Sequence, residues 1–311
     1  MIKEYLTYDD RKVFKHIYND IEDLVQTLKT AKTNRVFQGK SLSSQKHGTE
    51  SSFHDFTTYE GAMNALEYGY DKYFKDFMEK VEKAKNIVSK IEEPKTGNQK
   101  NDVVGYVPII PNTLLNIPQN MINSNITKKK IPKARIFIEF SECGGVSASK
   151  IIKYKAVIFA LIDLMERKGI RCEVWIIENS KECSEICSYC IKLKDFFQPI
   201  NFYKLQFPII SSDMLRRINF RMIETHEDVH ENWHDGYGQP LRSYAKGELD
   251  NGDKHDEFKI AEKIKEIVGL TEDDIYIPNT NLISDSDDTK KIIKKLLTKT
   301  KLKDYIEYKG D

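Results

Sequence analysis

Apolar residues in this chain repeat with two periods, three to four residues over long stretches and two over short ones. That predicts a mixture of helices and strands. Val13, Ile17, Ile21, Leu24, Val25 and Leu28 keep helical spacing and predict a helix over 10–31. A polar run from Gly39 to Ser52 has no apolar period and predicts a loop. From Thr58 to Ile91 a stripe through Ala62, Leu66, Tyr70, Phe77, Val81 and Ile91 predicts the clearest helical region, interrupted at Gly69. Such a stripe marks a helix face turned to a core. Glu93 to Asn101 has a linker composition, and Pro108, Pro111 and Pro118 confine the next segment to extended or turn structure.

The second half opens with the most informative stretch. Arg135 to Phe140 reads as a strand, Ser141 to Ser149 as a loop of small residues, and Ile151 to Met165 as an apolar helix stopped at Gly169. Arg171 to Ile177 reads as a second strand. A strand that ends in a Gly/Ser loop and feeds a helix is the entrance to a parallel α/β sheet, where binding sites collect. Two further extended runs, Ile191 to Phe196 and Asn201 to Ile210, bracket Gln198 and Pro199 like a hairpin. Ile260 to Val268 predicts a helix and Asp274 to Pro278 a short strand. Lys290 to Leu302 predicts a basic amphipathic helix packed on the sheet through Ile292, Ile293, Leu296 and Leu297. The order divides the chain into a mainly helical N-terminal region with a Pro-rich connector, over 1–125, and an α/β domain over 126–311.

Charge changes the picture little. The 49 basic and 48 acidic residues leave a net charge of +1, so no global field recruits nucleic acid or an anionic membrane. A local basic run, Lys128 to Lys130 with Lys133 and Arg135, and the Lys290 to Lys303 segment are the places where a nucleic acid would bind. No apolar run approaches the roughly 18 residues that cross a bilayer. The first residues lack the apolar core of a signal peptide, so the expected location is the cytoplasm and not the exterior. Five cysteines, four of them between 172 and 190, suit reduced thiols better than a disulfide framework.

Two motifs suggest metals. Cys183, Cys187 and Cys190 have the spacing by which radical S-adenosylmethionine enzymes hold an iron–sulfur cluster, and Cys172 offers a fourth ligand for zinc. The chain after Cys190 is too short for the strand–helix units such a barrel needs, and 189–196 reads as strand. The alternative is reduced structural thiols. His226, Glu227 and His230 satisfy H-E-x-x-H, and His234 extends the spacing to a third ligand. Asp228, Glu231 and Asp235 crowd charge around those histidines, and Gly236 and Gly238 end any helix there, which favours a solvated segment. No P-loop and no G-x-G-x-x-G is present, and Gly144-Gly145 alone does not announce a nucleotide.

The order strand, Ser/Gly loop, helix, strand and hairpin-like segment resembles the opening of a von Willebrand factor A-like (vWA-like) Rossmannoid domain. That family's metal motif, D-x-S-x-S, falls on Glu139, Ser141 and Cys143, so Glu replaces Asp and Cys replaces the second Ser. The degenerate motif puts a Mg-type cation in doubt; Ser147 and Ser149 offer hydroxyls, or Ser149 caps the following helix. Short pieces also resemble a family of bacteriophage and prophage proteins. They include Thr57 to Ala62, Asp102 to Pro108, the Arg135 to Trp175 unit, and Arg216-Arg217 with Phe220-Arg221. The resemblance implies an α/β vWA-like sandwich with a mainly helical N-terminal region, phage-encoded and non-enzymatic. It would act in the infected cell or the virion and bind a phage structural or host protein. Glu139, Ser141, Ser147 and Ser149 are then the expected partner-binding residues. No cofactor is expected on this reading. A metal-dependent enzyme using the Cys or His cluster and a nucleic-acid-binding protein are the alternatives.

Overall fold

A computed structural model describes residues 1–8, 10–32, 41, 43–44, 54–88, 100–102, 107–115, 117–123, 132–142, 146–182, 185–225, 239–241 and 257–306. The chain opens with two strands, β1 (Ile2–Tyr8) and β2 (Arg11–Tyr18), and then forms helices α1 (Ile21–Thr30), α2 (Tyr59–Tyr68) and α3 (Phe74–Val88). A small antiparallel sheet follows, with β3 (Lys100–Asp102) and β4 (Val107–Pro108) on either side of β5 (Met121–Asn123); the short helix α4 (Ile110–Leu114) joins β4 to β5. Next come β6 (Lys133–Glu139), α5 (Ala148–Arg167), β7 (Arg171–Glu182) and β8 (Glu185–Lys194). Helix α6 (Phe202–Ile210), a π-helix (Met214–Asn219) and α7 (Phe220–Glu224) lead to β9 (Gln239–Pro240). The described chain closes with α8 (Glu257–Val268), β10 (Ile275–Ile277) and α9 (Thr289–Lys299).

The protein is a mixed α/β fold around one sheet in the order β1-β2-β8-β7-β6-β10. Strands β10, β6 and β7 run parallel, β8 returns antiparallel to β7, β2 runs parallel to β8, and β1 returns antiparallel to β2. β7 outruns β6, whose pairing stops at Glu139 opposite Ile177, and β9 takes up the same flank at Ser180 and Lys181.

Strand parity sorts the sheet into two faces. Ile136, Ile138, Val174, Ile176, Tyr189 and Ile191 belong to one core cluster with α1, α2, α5 and α6. Phe137, Ile177, Cys190 and Tyr276 belong to another, closed by Ile264 and Val268 of α8. Because both faces are covered, the central strands read as nearly continuous apolar runs. Helix α5 is buried almost all round, from Ile151 to Ile162, because α3 covers the side away from the sheet. Its start is set by Ser147, whose Oγ accepts from the Lys150 amide at 3.3 Å. Its end is set by Gly169 at φ +82, which a side chain would strain.

The expected helix over 10–31 is a strand followed by a helix. Val13 and Ile17 sit four apart because both point to one face of β2, while Phe14, His16 and Tyr18 point to the other. Four-residue spacing satisfies both periods, and the β-branched and aromatic content decides. Asp20 then starts α1 by accepting from the Asp23 amide at 2.7 Å. The expected mainly helical N-terminal region therefore contributes two strands to the common sheet, and its Phe14, Leu24, Leu66 and Phe77 share a core cluster with α5.

The second correction concerns 201–210, expected as extended. It is helix α6, begun by Asn201, whose side chain accepts from the Lys204 amide at 3.1 Å. Leu205 to Ile210 are all buried, Gln206 among them, and a segment buried on every side carries no period to tell helix from strand. The final basic helix does bury Ile292, Ile293, Leu296 and Leu297, and it packs on α5 and α3.

Candidate functional site

The carboxyl ends of β6, β7 and β10 meet where parallel sheets usually bind ligands, and polar side chains are concentrated there. Glu139 ends β6 and accepts from the Tyr276 hydroxyl, with both residues buried. Lys155 reaches down from α5 and donates to the Glu139 carbonyl at 2.6 Å. Burial pushes the Lys155 ammonium below its usual range, against the pull of Glu142 and Glu139. Burial likewise raises the Glu142 carboxyl, while Lys155 and its hydrogen bonds with Thr280 oppose the shift. Ser141 is enclosed as well: its Oγ accepts from the Asn179 amide at 3.2 Å, and its carbonyl accepts from Asn279 Nδ2 at 2.7 Å.

A second polar row crosses the sheet on the α5 side. Glu178 of β7 stands opposite Tyr189 of β8, and Tyr189 stands opposite His16 of β2. All three are buried, and the His16 and Tyr189 rings meet edge to face at 5.7 Å. Burial pushes the Glu178 carboxyl up to about 8; Asn219 and Ser180 beside it favour the charged form, and the Glu139 charge opposes it. Oε2 of Glu178 and both amide atoms of Asn179 make no hydrogen bond, so the end of β7 holds desolvated polar groups in reserve.

The π-helix ties that row to a third network. Asp213 and Arg217 are both fully buried, with Arg217 Nε 3.2 Å from the Asp213 carboxylate. The other Asp213 oxygen accepts from the Asp55 and Phe56 amides at 2.7 Å each, and His54 Nδ1 lies 2.6 Å from its partner oxygen. Arg217 also donates to the carbonyls of Ser43 and Phe56, both at 2.9 Å. Asp55 in turn accepts from Ser211, Tyr73 and Lys72. A planar guanidinium fork suits this bridging of two carbonyls and a carboxylate, and the network fastens Ser43 and the stretch from His54 to Phe56 to the π-helix.

The four expected partner-binding residues separate into two pairs. Glu139 and Ser141 are each 1% exposed, whereas Ser147 and Ser149 lie on the surface. Ser147, not Ser149, is the helix cap. Ser141 is engaged by Asn179 and Asn279, and Glu139 by Tyr276. Cys143 and Cys183 lie outside the described residues, as do His226, His230 and His234 and the run Lys128 to Lys130. Cys187 and Cys190 are both buried in β8, but strand parity sends them to opposite faces of the sheet, Cys187 with the α5 cluster and Cys190 with Phe137 and Ile177. Two thiols on opposite faces do not converge on one ion. Among the described residues no group of three or more His, Cys, Asp or Glu side chains is placed to hold a metal.

The comparisons with known proteins bear on the whole chain. A family model described as a domain of unknown function, DUF7192, matches residues 3–304. The chain belongs to the DUF7192 family. No curated protein matches it, and no solved structure does.

Three features of this DUF7192 chain escaped the sequence reading. The first is the Asp213–Arg217 network, for which the spacing of an acid and an arginine one turn apart inside an apolar segment was the available signal. The second is a surface: Ile110, Leu114 and Leu115 are 66%, 78% and 72% exposed, with Ile117 beside them at 40%. No residue of α4 is buried. The third is β1 at the sheet edge, with Ile2, Tyr5 and Leu6 exposed. Prolines had marked the α4 segment as irregular, but nothing in the pattern said that its apolar residues face water. Among the described residues, no helix is long and apolar enough to cross a membrane.

Proposed function

We propose that this chain is a non-enzymatic, phage-encoded protein-interaction module with a vWA-like core. It docks a phage structural or host protein, in the infected cell or the virion, through the tip that carries α4. The observation that carries the reading is the run of Ile110, Leu114, Leu115 and Ile117, apolar side chains held in water at the end of a small sheet. Exposing several large aliphatic residues together is costly for solubility, and contiguous patches of this kind mark binding surfaces. The vWA-like reading is supported by the succession β6, small-residue loop, α5, β7 and antiparallel β8 within one sheet. The absence of a catalytic role is supported by the strand-end side chains, since Glu139, Ser141 and Glu142 are engaged with Tyr276, Asn179 and Thr280. Exposed Ser147 and Ser149 remain as a secondary contact rim.

The test places a photo-crosslinking amino acid at Leu114 in cells that carry the source phage. The captured protein is then purified and titrated against wild-type chain and the Leu114→Glu, Leu115→Glu double variant. Loss of about tenfold or more in affinity, the size of a small interface hot spot, supports the reading. Equal affinity for both forms removes the α4 tip as the docking element.

A second reading rests on the lysine face of α9 and the turn after it, where Lys290, Lys291, Lys294, Lys299, Lys301 and Lys303 are exposed. A nucleic acid bound there would lose affinity steeply with salt, with one counterion released per phosphate contacted. Binding that is unchanged by salt, or by replacing Lys290, Lys291 and Lys294 with Gln, eliminates it.

A further inference from the structure

The sheet ends on one side at β1, which among the described strands pairs only with β2. β1 is seven residues long, and none of its residues is buried: Ile2, Tyr5 and Leu6 are 50%, 58% and 43% exposed. Two usual protections of an edge, a proline and a bulge, are absent from the strand itself, and its charges are confined to Lys3 and Glu4. It pairs with β2 in unbroken register from Ile2 to Tyr8. Its acidic residue, Glu4, is neutralised by Lys15 at 2.9 Å. A long, regular strand with exposed apolar side chains is a template for another strand.

The sequence of the strand selects the partner. Two copies of an edge strand related by a twofold axis normal to the sheet pair antiparallel and keep their faces aligned, so directly opposed residues have the same parity. The centre of Ile2–Tyr8 is Tyr5. With Tyr5 on the axis all seven residues pair, and the opposed couples are Ile2 with Tyr8, Lys3 with Thr7, and Glu4 with Leu6. No like charges meet. Moving the axis to Glu4 sets two carboxylates face to face, and moving it to Leu6 shortens the ladder. The longest register is therefore also the electrostatically permitted one, which a strand of foreign sequence would meet only by coincidence.

We propose that β1 is a homodimerisation strand, pairing antiparallel with β1 of a second copy of this chain about a twofold axis at Tyr5, so that the sheet runs continuously through both copies. The inference goes beyond the partner-docking role of α4, which uses a different surface. In the dimer the two Tyr5 rings flank the axis on the face where each already meets its own Phe14 at 6.0 Å. The apolar side chains of Ile2 and Leu6 are withdrawn from water on the other face, next to Ile17 and Val13.

The experiment is sedimentation velocity on the full chain over a wide concentration range, run beside two variants. One carries Tyr5→Lys with Thr7→Lys, which sets like charges against each other at the Tyr5 couple and at both Lys3–Thr7 couples. The other carries Leu114→Glu with Leu115→Glu. A concentration-dependent dimer that is lost in the first and kept in the second supports the proposal. A monomer at every concentration, or a dimer that survives the β1 charges, overturns it. Cysteine placement guards against a variant that fails to fold. Directly opposed Cα atoms are about 5 Å apart, within disulfide range, whereas the two Thr7 positions are displaced by about 13 Å along the strands. Tyr5→Cys should therefore give a covalent dimer on mild oxidation well above the yield of Thr7→Cys and of unmodified chain. Equal yields sink the register, and with it the proposal. If α4 mediates self-association instead, the Leu114 and Leu115 variant alone becomes monomeric, which distinguishes failure here from failure of the docking role.

Discussion

Glu178 stands directly across the sheet from Tyr189, and both side chains are enclosed between β7, β8 and the helices above. A carboxyl in that position is far better neutral than charged, and its pKa rises from 4.5 to about 8. Since the folded value lies above the unfolded one, the folded state holds a proton that the unfolded chain has released between those two values. Stability contributed by the neutral acid is therefore complete below about pH 4.5 and falls as pH climbs towards 8, then levels. Across that window the loss has an upper bound of about 5 kcal/mol at 1.4 kcal/mol per pH unit. Glu178→Gln should unfold like wild type at pH 5 and be the more stable protein at pH 9, as read by urea denaturation at each pH. A pH-independent difference between the two would show that Glu178 is charged throughout.

Arg217 should be the least replaceable charged residue described. Removing its side chain takes the guanidinium away from the buried Asp213 carboxylate and leaves the Ser43 and Phe56 carbonyls without their Arg217 donors. Breaking a buried pair from one side costs about 3–5 kcal/mol. Arg217→Ala should lower the unfolding free energy by that order, and Arg217→Lys should recover only part of it because an ammonium cannot span the same acceptors. Chemical denaturation of both variants measures this; full recovery by Lys would mean that charge, not the fork, matters.

The same residues show what the sequence could and could not reveal. The β6–α5–β7 unit was legible because each element has its own boundary: an apolar run in β6, small residues before α5 and Gly169 after it, although the cap expected at Ser149 is Ser147. Helix α6 was not, since Leu205 to Ile210 are buried on every side and carry no period. β2 was misread because Val13 and Ile17 fit either period. The polar networks stayed hidden for a different reason. His54, Asp213 and Arg217 are brought together by packing across more than 150 positions, and no local pattern encodes that. At the candidate site, Ser141 and Ser147 fall between β6 and α5 as the pattern predicted, but whether such residues face water or the core depends on what covers the strand ends.

Ser147 and Ser149 offer a direct test of that loop. Ser147 caps α5 and accepts from the Lys150 amide, while Ser149 lies exposed in the first turn. Ser147→Ala should cost about 1 kcal/mol of stability, the usual value of a lost N-cap, and Ser149→Ala a few tenths at most. Thermal unfolding of the two single variants decides the assignment. The reverse order would move the cap to Ser149 and shift the start of the helix.

The thiols of the sheet should be silent. Burial pushes Cys172 and Cys190 up to about 12, and Cys187 is equally enclosed. The thiolate is the reactive form and the metal ligand, so these three should neither react with a disulfide reagent nor bind zinc in the native protein. With Cys143 and Cys183 replaced by Ser, Ellman's reagent should find no thiol until denaturant is added, and then three per chain. Labelling should proceed at the rate of unfolding, because no shorter opening exposes both faces of β8. Rapid labelling of Cys190 in the native state, or tight zinc lost on substituting Cys187 and Cys190 together, would require the strand to release both side chains to one side. The pairing of β8 with β7 and β2 along its length opposes such a release.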